Sequence, residues 1–306
     1  MTLAQAAMAI RFRLGSRGSP LALVQANMTR DALAAAHGWA AEAIAIVPVK
    51  TTGDRVQDRA LAEIGGKALW TKELDRALLA GEIDAAVHSM KDVETKRPAG
   101  ITIAATLPRA DVRDRLIGAE TIEALPPGAR IGTASPRRCA QLLALRPDLD
   151  IVLLRGNVDT RLAKLAAGEV DATLLAAAGL DRLGRADVGA AIPLDVMLPA
   201  PTQGAVGIEC RADDAATRER LAAIDDRETH RCIAVERAFL AALDADCHSP
   251  VAALAADGRF SAALYATDGS AVVRGDTREI SEDGAAALAR RLLDEAPPLI
   301  RALFAA

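Results

Sequence analysis

Short apolar runs alternate with stretches of helical periodicity along the first two hundred residues. Ile44 to Val49 is an apolar run of strand length, and a second run follows Gly81 and ends in Ser89-Met90-Lys91-Asp92. Between such runs, apolar residues recur at helical spacing, as in Leu21, Val24, Met28 and Leu33. Strands that alternate with helices predict βαβ units and an α/β fold.

The pattern occurs twice along the chain. Ala80-Gly81-Glu82-Ile83-Asp84-Ala85 is matched almost residue for residue by Ala167-Gly168-Glu169-Val170-Asp171-Ala172, and each copy stands between a helix and a strand. Ser19-Pro20 and Ser135-Pro136 each follow a strand and have the sequence of an N-cap with proline at the first helical position. The repeat predicts two tandem βαβ lobes, like those of periplasmic binding proteins, with a cleft between them.

The chain changes character towards its C-terminus. Residues 199–210 begin rich in proline and glycine and then become strand-like, which we interpret as a return to the first lobe. From Asp225 onward, an amphipathic helix, short strands and a final helix predict a small α+β domain. The expected domains are residues 1–107 plus 203–223, residues 108–202, and residues 224–306.

Composition narrows the class of protein. The 306 residues are 51% hydrophobic, which supports large cores, and the net charge of −4 argues against nucleic-acid binding. No apolar run is long enough to span a bilayer, and Met1 to Ile10 lacks the features of a signal peptide, so a cytoplasmic location without membrane contact is expected. The four cysteines and four histidines show no metal-ligand spacing, and we expect no metal. A monomer is expected by default.

Side chains that could bind a ligand or react with it lie at the predicted ends of strands and N-termini of helices. The strand before Ser89 would deliver a hydroxyl, an ammonium and a carboxylate, from Ser89, Lys91 and Asp92, to the edge of the sheet where ligands bind. Predicted helix entrances carry Arg17, Arg137, Arg138, Arg155 and Arg161. Each arginine alone could be ordinary surface charge, but guanidinium groups at helix N-termini in a repeated frame predict a cleft for a polyanion.

Cys247 differs from the other three cysteines. It lies in a polar loop before Pro250, whereas Cys139, Cys210 and Cys232 fall within helix or strand patterns and are expected to be buried. A nucleophilic pair with His248 is disfavoured, because adjacent residues usually point in different directions and no third group orients them.

Seven motifs together resemble the porphobilinogen deaminase (hydroxymethylbilane synthase) family, from about Arg11 to the Cys247 loop. They are Gly15-Ser16-Arg17-Gly18-Ser19-Pro20, Gly65-Gly66-Lys67, Val87-His88-Ser89-Met90-Lys91-Asp92-Val93, Ser135-Pro136-Arg137-Arg138, Leu154-Arg155-Gly156-Asn157-Val158-Asp159-Thr160-Arg161, Gln203-Gly204-Ala205-Val206-Gly207-Ile208-Glu209 and Cys247. The resemblance implies head-to-tail condensation of four porphobilinogen molecules, with loss of ammonia, to linear hydroxymethylbilane. It also implies a dipyrromethane cofactor joined to Cys247 by a thioether.

The same resemblance implies roles for individual residues. Asp92 would be the catalytic carboxylate that stabilises positive charge on pyrrole nitrogens and assists proton transfer. The cofactor-binding set would be Cys247, Lys91, Thr133, Ser135, Arg137, Arg138, Arg155, Asn157 and Arg161. The substrate-binding set would be Arg17, Ser19, Gln25, Lys67, Ser89, Arg182, Gln203 and Gly204. Acetate and propionate groups on every pyrrole fit a cleft rich in arginine.

The chain departs from the family pattern in three places. Ala245-Asp246 stand where two glycines are common, which puts the backbone shape of the cysteine loop in doubt. Pro136 replaces a more usual leucine and is expected to stiffen the helix start. Trp70 replaces phenylalanine, either as an aromatic that stacks on a pyrrole or as a core residue.

Two other classes of protein compete with the enzyme. A two-lobed cleft also suits a non-enzymatic anion-binding protein, although the exposed-loop cysteine in a third domain argues against it. A phosphate-handling transferase would use the helix N-termini, but the chain has no P-loop pattern and no metal-binding carboxylate cluster.

Overall fold

The computed structural model describes residues 10–50 and 71–304. Strands and helices alternate over the first part of this range, and three sheets organise it. Lys67, a predicted substrate ligand, and Trp70, predicted to stack on a pyrrole or to lie in the core, are outside the described residues.

The first sheet has the strand order β2-β1-β3-β10-β4. Its strands are β1 (Phe12–Arg17), β2 (Ile44–Val49), β3 (Ala85–Ser89), β4 (Ile101–Thr106) and β10 (Val206–Arg211). The first three are parallel, and β10 runs antiparallel between β3 and β4. The segment interpreted as a return strand is therefore part of this sheet. Helices α1 (Pro20–His37), α2 (Lys72–Leu79) and α6 (Ala215–Ala222) accompany it.

The second sheet has the strand order β7-β6-β8-β5-β9. Its strands are β5 (Asp114–Ile117), β6 (Arg130–Thr133), β7 (Asp150–Leu153), β8 (Ala172–Ala176) and β9 (Ala190–Ala191). Its helices are α3 (Pro136–Leu145), α4 (Val158–Ala166) and α5 (Ala177–Arg182). Here too three strands are parallel and the fourth in order is antiparallel.

The two sheets share one topology, as the sequence repeat predicts. Leu14 of β1 pairs with Ala85 of β3, and Ile131 of β6 pairs with Ala172 of β8, so the two echoed segments occupy equivalent places. Gly81 and Gly168 precede these strands with φ of 69° and 73°, a conformation that favours glycine. The prediction of two similar α/β lobes is confirmed.

The third sheet is antiparallel, in the order β11-β12-β13. It comprises β11 (Val251–Ala256), β12 (Arg259–Tyr265) and β13 (Val272–Thr277), and α7 (Arg227–Ala242), α8 (Glu282–Glu295) and α9 (Pro298–Arg301) accompany it. Phe239 of α7 and Phe260 of β12 pack edge to face with centroids 5.4 Å apart in its core. The predicted small α+β domain is confirmed.

Two strand ends differ from the sequence prediction, which ends the first strand at Leu14 and continues the strand after Gly168 to Arg182. Strand β1 continues past Leu14 to Arg17, because Gly15 to Arg17 keep pairing with β2. The strand expected to run on to Arg182 ends at Ala176 instead, and residues 177–182 form α5. Arg182 therefore lies in the last turn of a short helix.

Candidate functional site

A cavity of about 770 Å³ is lined by residues of both lobes and of the C-terminal domain. Nine of its lining side chains are cationic and three are carboxylates. The cations are Arg17, Lys50, Lys91, Arg137, Arg138, Arg155, Arg161, Arg182 and Arg237, and the carboxylates are Asp92, Asp159 and Asp246. A cavity with this excess of positive charge suits a ligand that carries several negative charges.

The end of β3 brings Lys91 and Asp92 to the cavity. After Ser89 the chain makes a single 3-10 turn, Met90–Asp92, in which Met90 is buried. Met90 donates its backbone N–H to Ala205 and packs closely on Gly207 of β10, where a Cβ would lie 2.1 Å from the sulfur. The turn is therefore seated on the sheet while the two charged side chains line the cavity.

Lys91 has a strongly lowered pKa. Burial lowers the pKa of its ammonium group to about 8, and the positive charges of Arg138 and Arg137 act in the same direction, against the raising effect of Asp92 and Asp114. Its positive charge is therefore lost more readily than that of an ordinary lysine.

Polar side chains cap the helices that begin at the cavity. Ser19 accepts from Ala22 N at α1 and Ser135 accepts from Arg138 N at α3, both at 3.4 Å. Asn157 accepts from Thr160 N at 2.9 Å at the start of α4. The predicted serine caps are confirmed, and all three capping residues line the cavity. Helix N-termini add partial positive charge to this wall.

Arg137 and Arg138 lie side by side on α3 and share one buried carboxylate. Arg138 binds both oxygens of Asp114, at 2.7 and 3.3 Å, and Arg137 binds one at 2.7 Å. Burial alone would raise the pKa of Asp114, but the two arginines hold it well below its usual range. The pair therefore retains one net positive charge at the cavity wall.

Two other arginines have lowered pKa values at the cavity. Burial and the nearby charges of Arg138 and Arg155 lower the pKa of Arg161 to about 10, against the opposite effect of Asp92. Burial also lowers the pKa of Arg182, which donates to Gly204 O at 2.7 Å. Its buried Nε has no hydrogen-bond partner among the described residues. An anionic ligand would restore favourable contacts to such groups.

Two predicted ligand contacts do not line the cavity. Gln25 is buried on α1 and donates to Ser89 Oγ at 2.8 Å, so it supports a cavity residue from behind. Thr133 is buried at the end of β6, where its hydroxyl accepts from Ser135 N at 3.2 Å. Both therefore support cavity residues in the structure, and their direct contact with a ligand stays a prediction.

The loop of residues 243–250 presents Cys247 to the cavity. Cys247 and its neighbours Asp246 and Ser249 line the cavity, whereas His248 does not. Cys247 is solvent-exposed, Cys210 and Cys232 are buried, and Cys139 is half-buried rather than buried as predicted.

The thiol of Cys247 is not activated as a nucleophile. Although water reaches the residue, the surrounding cavity walls desolvate the sulfur and, with Asp246, Asp92 and Glu94, raise the pKa of Cys247 to about 12. The thiol is therefore protonated at neutral pH.

The backbone of this loop does not require the two missing glycines. Positive φ falls on Asp244, at 50°, and not on Ala245 or Asp246. Asp246 accepts from His248 N at 2.8 Å through its carboxylate, which closes a local turn. Ala245 and Asp246 therefore adopt no backbone conformation that favours glycine.

Sequence reasoning missed three residues at this site. Lys50 directly follows β2, and its place at the carboxyl end of a parallel strand was the available signal. Asp114 stands among several charged residues, so nothing in the sequence singled it out as the partner of Arg137 and Arg138. Arg237 lies on α7, where the helical pattern does not show which arginine faces the cavity.

Residues 10–50 and 71–304 contain neither a membrane-spanning helix nor a metal-binding group of side chains. No helix there is long and apolar enough to cross a membrane. The same residues contain no group of three or more His, Cys, Asp or Glu side chains arranged to hold a metal ion.

The fold and site define a two-lobed α/β protein with a polycationic cavity and a cysteine supplied by a third domain. The family model "Porphobilinogen deaminase, dipyromethane cofactor binding domain" matches residues 12–219, and "Porphobilinogen deaminase, C-terminal domain" matches residues 230–296. The chain belongs to the porphobilinogen deaminase family.

Similar proteins cover nearly the whole chain. A porphobilinogen deaminase from Sphingopyxis alaskensis is 62% identical over 96% of each chain, and one from Paracoccus denitrificans is 53% identical over 93% of this chain and 94% of its own. A chloroplastic porphobilinogen deaminase from Oryza sativa is 50% identical over 85% of this chain and 75% of its own.

Two solved structures of binding proteins show a distant likeness to this chain. The methionine-binding protein MetQ has a TM-score of 0.44 and 12% identity, covering 74% of this chain and 94% of its own. A periplasmic substrate-binding protein from Coxiella burnetii has a TM-score of 0.42 and 16% identity, covering 74% and 96%.

Proposed function

We propose that this protein condenses four porphobilinogen molecules head to tail, with release of ammonia, to give linear hydroxymethylbilane. The observation that carries the proposal is that Asp92 and Cys247 line one cavity in which cations outnumber carboxylates nine to three. Each pyrrole brings an acetate and a propionate, so a growing chain needs many cationic partners. Family membership supports the same reaction.

A dipyrromethane cofactor fits the donor set of the cavity. Cys247 would be its anchor, and Lys91, Ser135, Arg137, Arg138, Arg155, Asn157 and Arg161 would hold it, with Thr133 acting through Ser135. When bound, the cofactor supplies the free pyrrole carbon on which the product chain is built. Because the pKa of Cys247 is about 12, its thiol would lose its proton only as the carbon–sulfur bond forms.

Asp92 is proposed as the catalytic carboxylate. It lies directly after β3, beside Lys91. Its negative charge acts on Cys247, Lys91 and Arg161 and by itself favours a higher pKa for each, although burial lowers the pKa of Lys91 and Arg161 overall. In that position a carboxylate would stabilise positive charge on the pyrrole nitrogens of the substrate and accept or return a proton. Because Met90 packs on Gly207, the 3-10 turn holds the Asp92 carboxylate in this position, and the turn need not rearrange.

The substrate-binding set is proposed from the remaining cavity residues. Arg17, Ser19, Ser89, Arg182, Gln203 and Gly204 line the cavity and would bind incoming porphobilinogen. Lys67 is proposed for the same role from the sequence alone. Gln25 would act indirectly, because its amide holds the Ser89 hydroxyl.

We further propose a domain division at residues 1–107 plus 203–223, 108–202 and 224–306. The pairing of β10 with β3 and β4 supports the discontinuous first domain. We also propose that the protein is a cytoplasmic monomer. Binding to nucleic acid or membranes is not expected, because the net charge is −4 and nine of the cationic side chains line the cavity.

The intact mass of the denatured chain tests the proposed function. We expect wild type to carry the extra mass of two linked pyrroles, Cys247→Ser to lack it, and Cys139→Ser, which alters a half-buried thiol, to retain it. If wild type stays at the bare chain mass after incubation with porphobilinogen or with its tetrapyrrole product, the proposal is wrong. A cavity that only binds anions would then be the better interpretation.

A further inference from the structure

The segment that follows Asp92 contacts the loop that carries Cys247. The Thr95 hydroxyl donates to the carbonyl oxygen of Ala245 at 2.8 Å. Thr95 is three residues from Asp92, and Ala245 is two residues from Cys247. The hydrogen bond therefore joins the two short segments that present the carboxylate and the thiol to the cavity.

Arg237 of α7 makes a second connection to the same segment. One nitrogen of its guanidinium group donates to the carbonyl oxygens of Glu94 and Thr95, at 2.8 and 2.9 Å. Burial lowers the pKa of Arg237. Because α7 leads directly into the cysteine loop, Thr95 is held by the C-terminal domain through both its hydroxyl and its carbonyl.

The other side of the segment is fixed to the first lobe. Arg97 donates to the carboxylate of Glu94 at 2.8 Å and to both oxygens of Glu209 on β10, at 2.8 and 2.7 Å. Glu209 is fully buried, so this attachment has little freedom. Movement of the cysteine loop relative to Asp92 is therefore opposed at Thr95.

A neighbouring contact provides a natural comparison. Lys96 binds Asp244 at 2.5 Å and spans the same two segments, but the two side chains are 72% and 43% exposed. Exposed ion pairs contribute little, since water competes for both charges. Thr95 makes its contact in a partly buried setting, where a lost hydrogen bond leaves the Ala245 carbonyl without that donor.

We propose that Thr95 is a positioning residue that sets the separation between the Asp92 carboxylate and the Cys247 thiol. The proposal rests on the proposed function for its catalytic consequence. Small displacements of reacting groups reduce rates strongly without a matching loss of binding. The hydroxyl of Thr95 would thus support turnover although it need not touch the reacting atoms.

The kinetic experiment compares Thr95→Val, Thr95→Ser and Lys96→Met in the full chain. We expect Thr95→Val to lower kcat about tenfold with KM changed less than about twofold, because near-attack geometry is altered while the binding residues remain. Thr95→Ser should restore kcat because it restores the donor, and Lys96→Met should match wild type. A lower melting temperature with unchanged kcat in Thr95→Val would overturn the proposal, as would an equal kcat loss in Lys96→Met.

A second readout does not depend on turnover. In chain produced by cells that cannot make porphobilinogen, the rate of Cys247 alkylation by iodoacetamide at pH 8 is sensitive to the surroundings of the thiol, where burial, Asp246 and Asp92 raise its pKa. We expect alkylation in Thr95→Val to be about threefold faster than in wild type, equal to a shift of roughly half a pKa unit, and Thr95→Ser to match wild type. Equal rates in all three would overturn the proposal. If wild type lacks both adduct and turnover, the proposed function fails, and this arm still decides the positioning role.

Discussion

Asp114 and Arg138 form a two-pronged ion pair inside the second lobe, with nitrogen–oxygen distances of 2.7 and 3.3 Å. Arg137 binds the same carboxylate at 2.7 Å. Gln203, which lies in the segment of residues 199–210, donates to it at 2.9 Å. One buried carboxylate thus binds two cations at the cavity wall and connects them to the segment that returns to the first lobe.

Replacement of Asp114 by Asn should destabilise the fold. The change leaves two buried guanidinium groups without their counter-charge, for which the cost is about 3–5 kcal/mol in the free energy of unfolding. Urea unfolding of cofactor-free chain measures it. The matched control is Asp148→Asn, which removes an exposed partner of Arg146 and should leave the midpoint nearly unchanged. Equal midpoints for the two variants would contradict the central role of Asp114.

Lys91 should make cofactor loading depend on pH. Its pKa of about 8 means that the ammonium is mostly charged below pH 8 and mostly neutral above it, so affinity for a cofactor carboxylate should fall as pH rises from 7 to 9. The fraction of cofactor-free chain that acquires the adduct from the tetrapyrrole product, measured by intact mass across this range, should decrease in wild type. Lys91→Arg keeps its charge and should show a flatter profile. The same decrease in both proteins would assign the pH dependence to another group.

Asp92 should be required for turnover but not for folding. Asp92→Asn keeps the size of the side chain and removes the charge that stabilises a cationic pyrrole, so kcat should fall at least about a hundredfold. Porphobilinogen consumption measures the loss, and a melting temperature close to that of wild type controls for folding. Unimpaired turnover would remove this carboxylate from the mechanism.

The residues that were predictable from sequence are those whose local pattern determines their place. The Ser-Pro caps, the echoed Gly81 and Gly168 turns and the strand before Lys91 all depend on short-range rules, and the structure has them where expected. The sequence repeat then predicts that the second lobe has the same topology as the first. The positions of Lys91 and Asp92 at the cavity follow from strand direction alone.

The residues that were missed depend on contacts between distant segments. Asp114 meets Arg137 and Arg138 only because β5 and β8 pair antiparallel, and α7 brings Arg237 to the cavity only through packing of the third domain. Thr133 and Gln25 do not line the cavity, and family position alone does not distinguish a residue that binds a ligand from the residue behind it. Long-range pairing of this kind leaves no signal in one sequence.

Arg17 and Arg161 offer a paired test of the division between substrate and cofactor sides. Both line the cavity, Arg17 from the end of β1 and Arg161 from α4. Lysine keeps the charge of either residue but loses the planar fork that binds a carboxylate through two hydrogen bonds. We expect Arg17→Lys to raise KM about tenfold, equal to roughly 1.4 kcal/mol of binding, while the adduct mass stays complete.

Arg161→Lys should have the opposite signature. Its guanidinium is proposed to hold the cofactor, so the fraction of chain that carries the adduct should fall, while KM of the remaining loaded fraction stays near that of wild type. Intact mass and steady-state kinetics on the same preparations measure both quantities. If Arg17→Lys lost the adduct, or if Arg161→Lys changed only KM, the two sides of the cavity would have to be exchanged in the assignment. That result would place incoming substrate at the second lobe, beside Arg138 and Arg155, whose charges help to lower the pKa of Arg161.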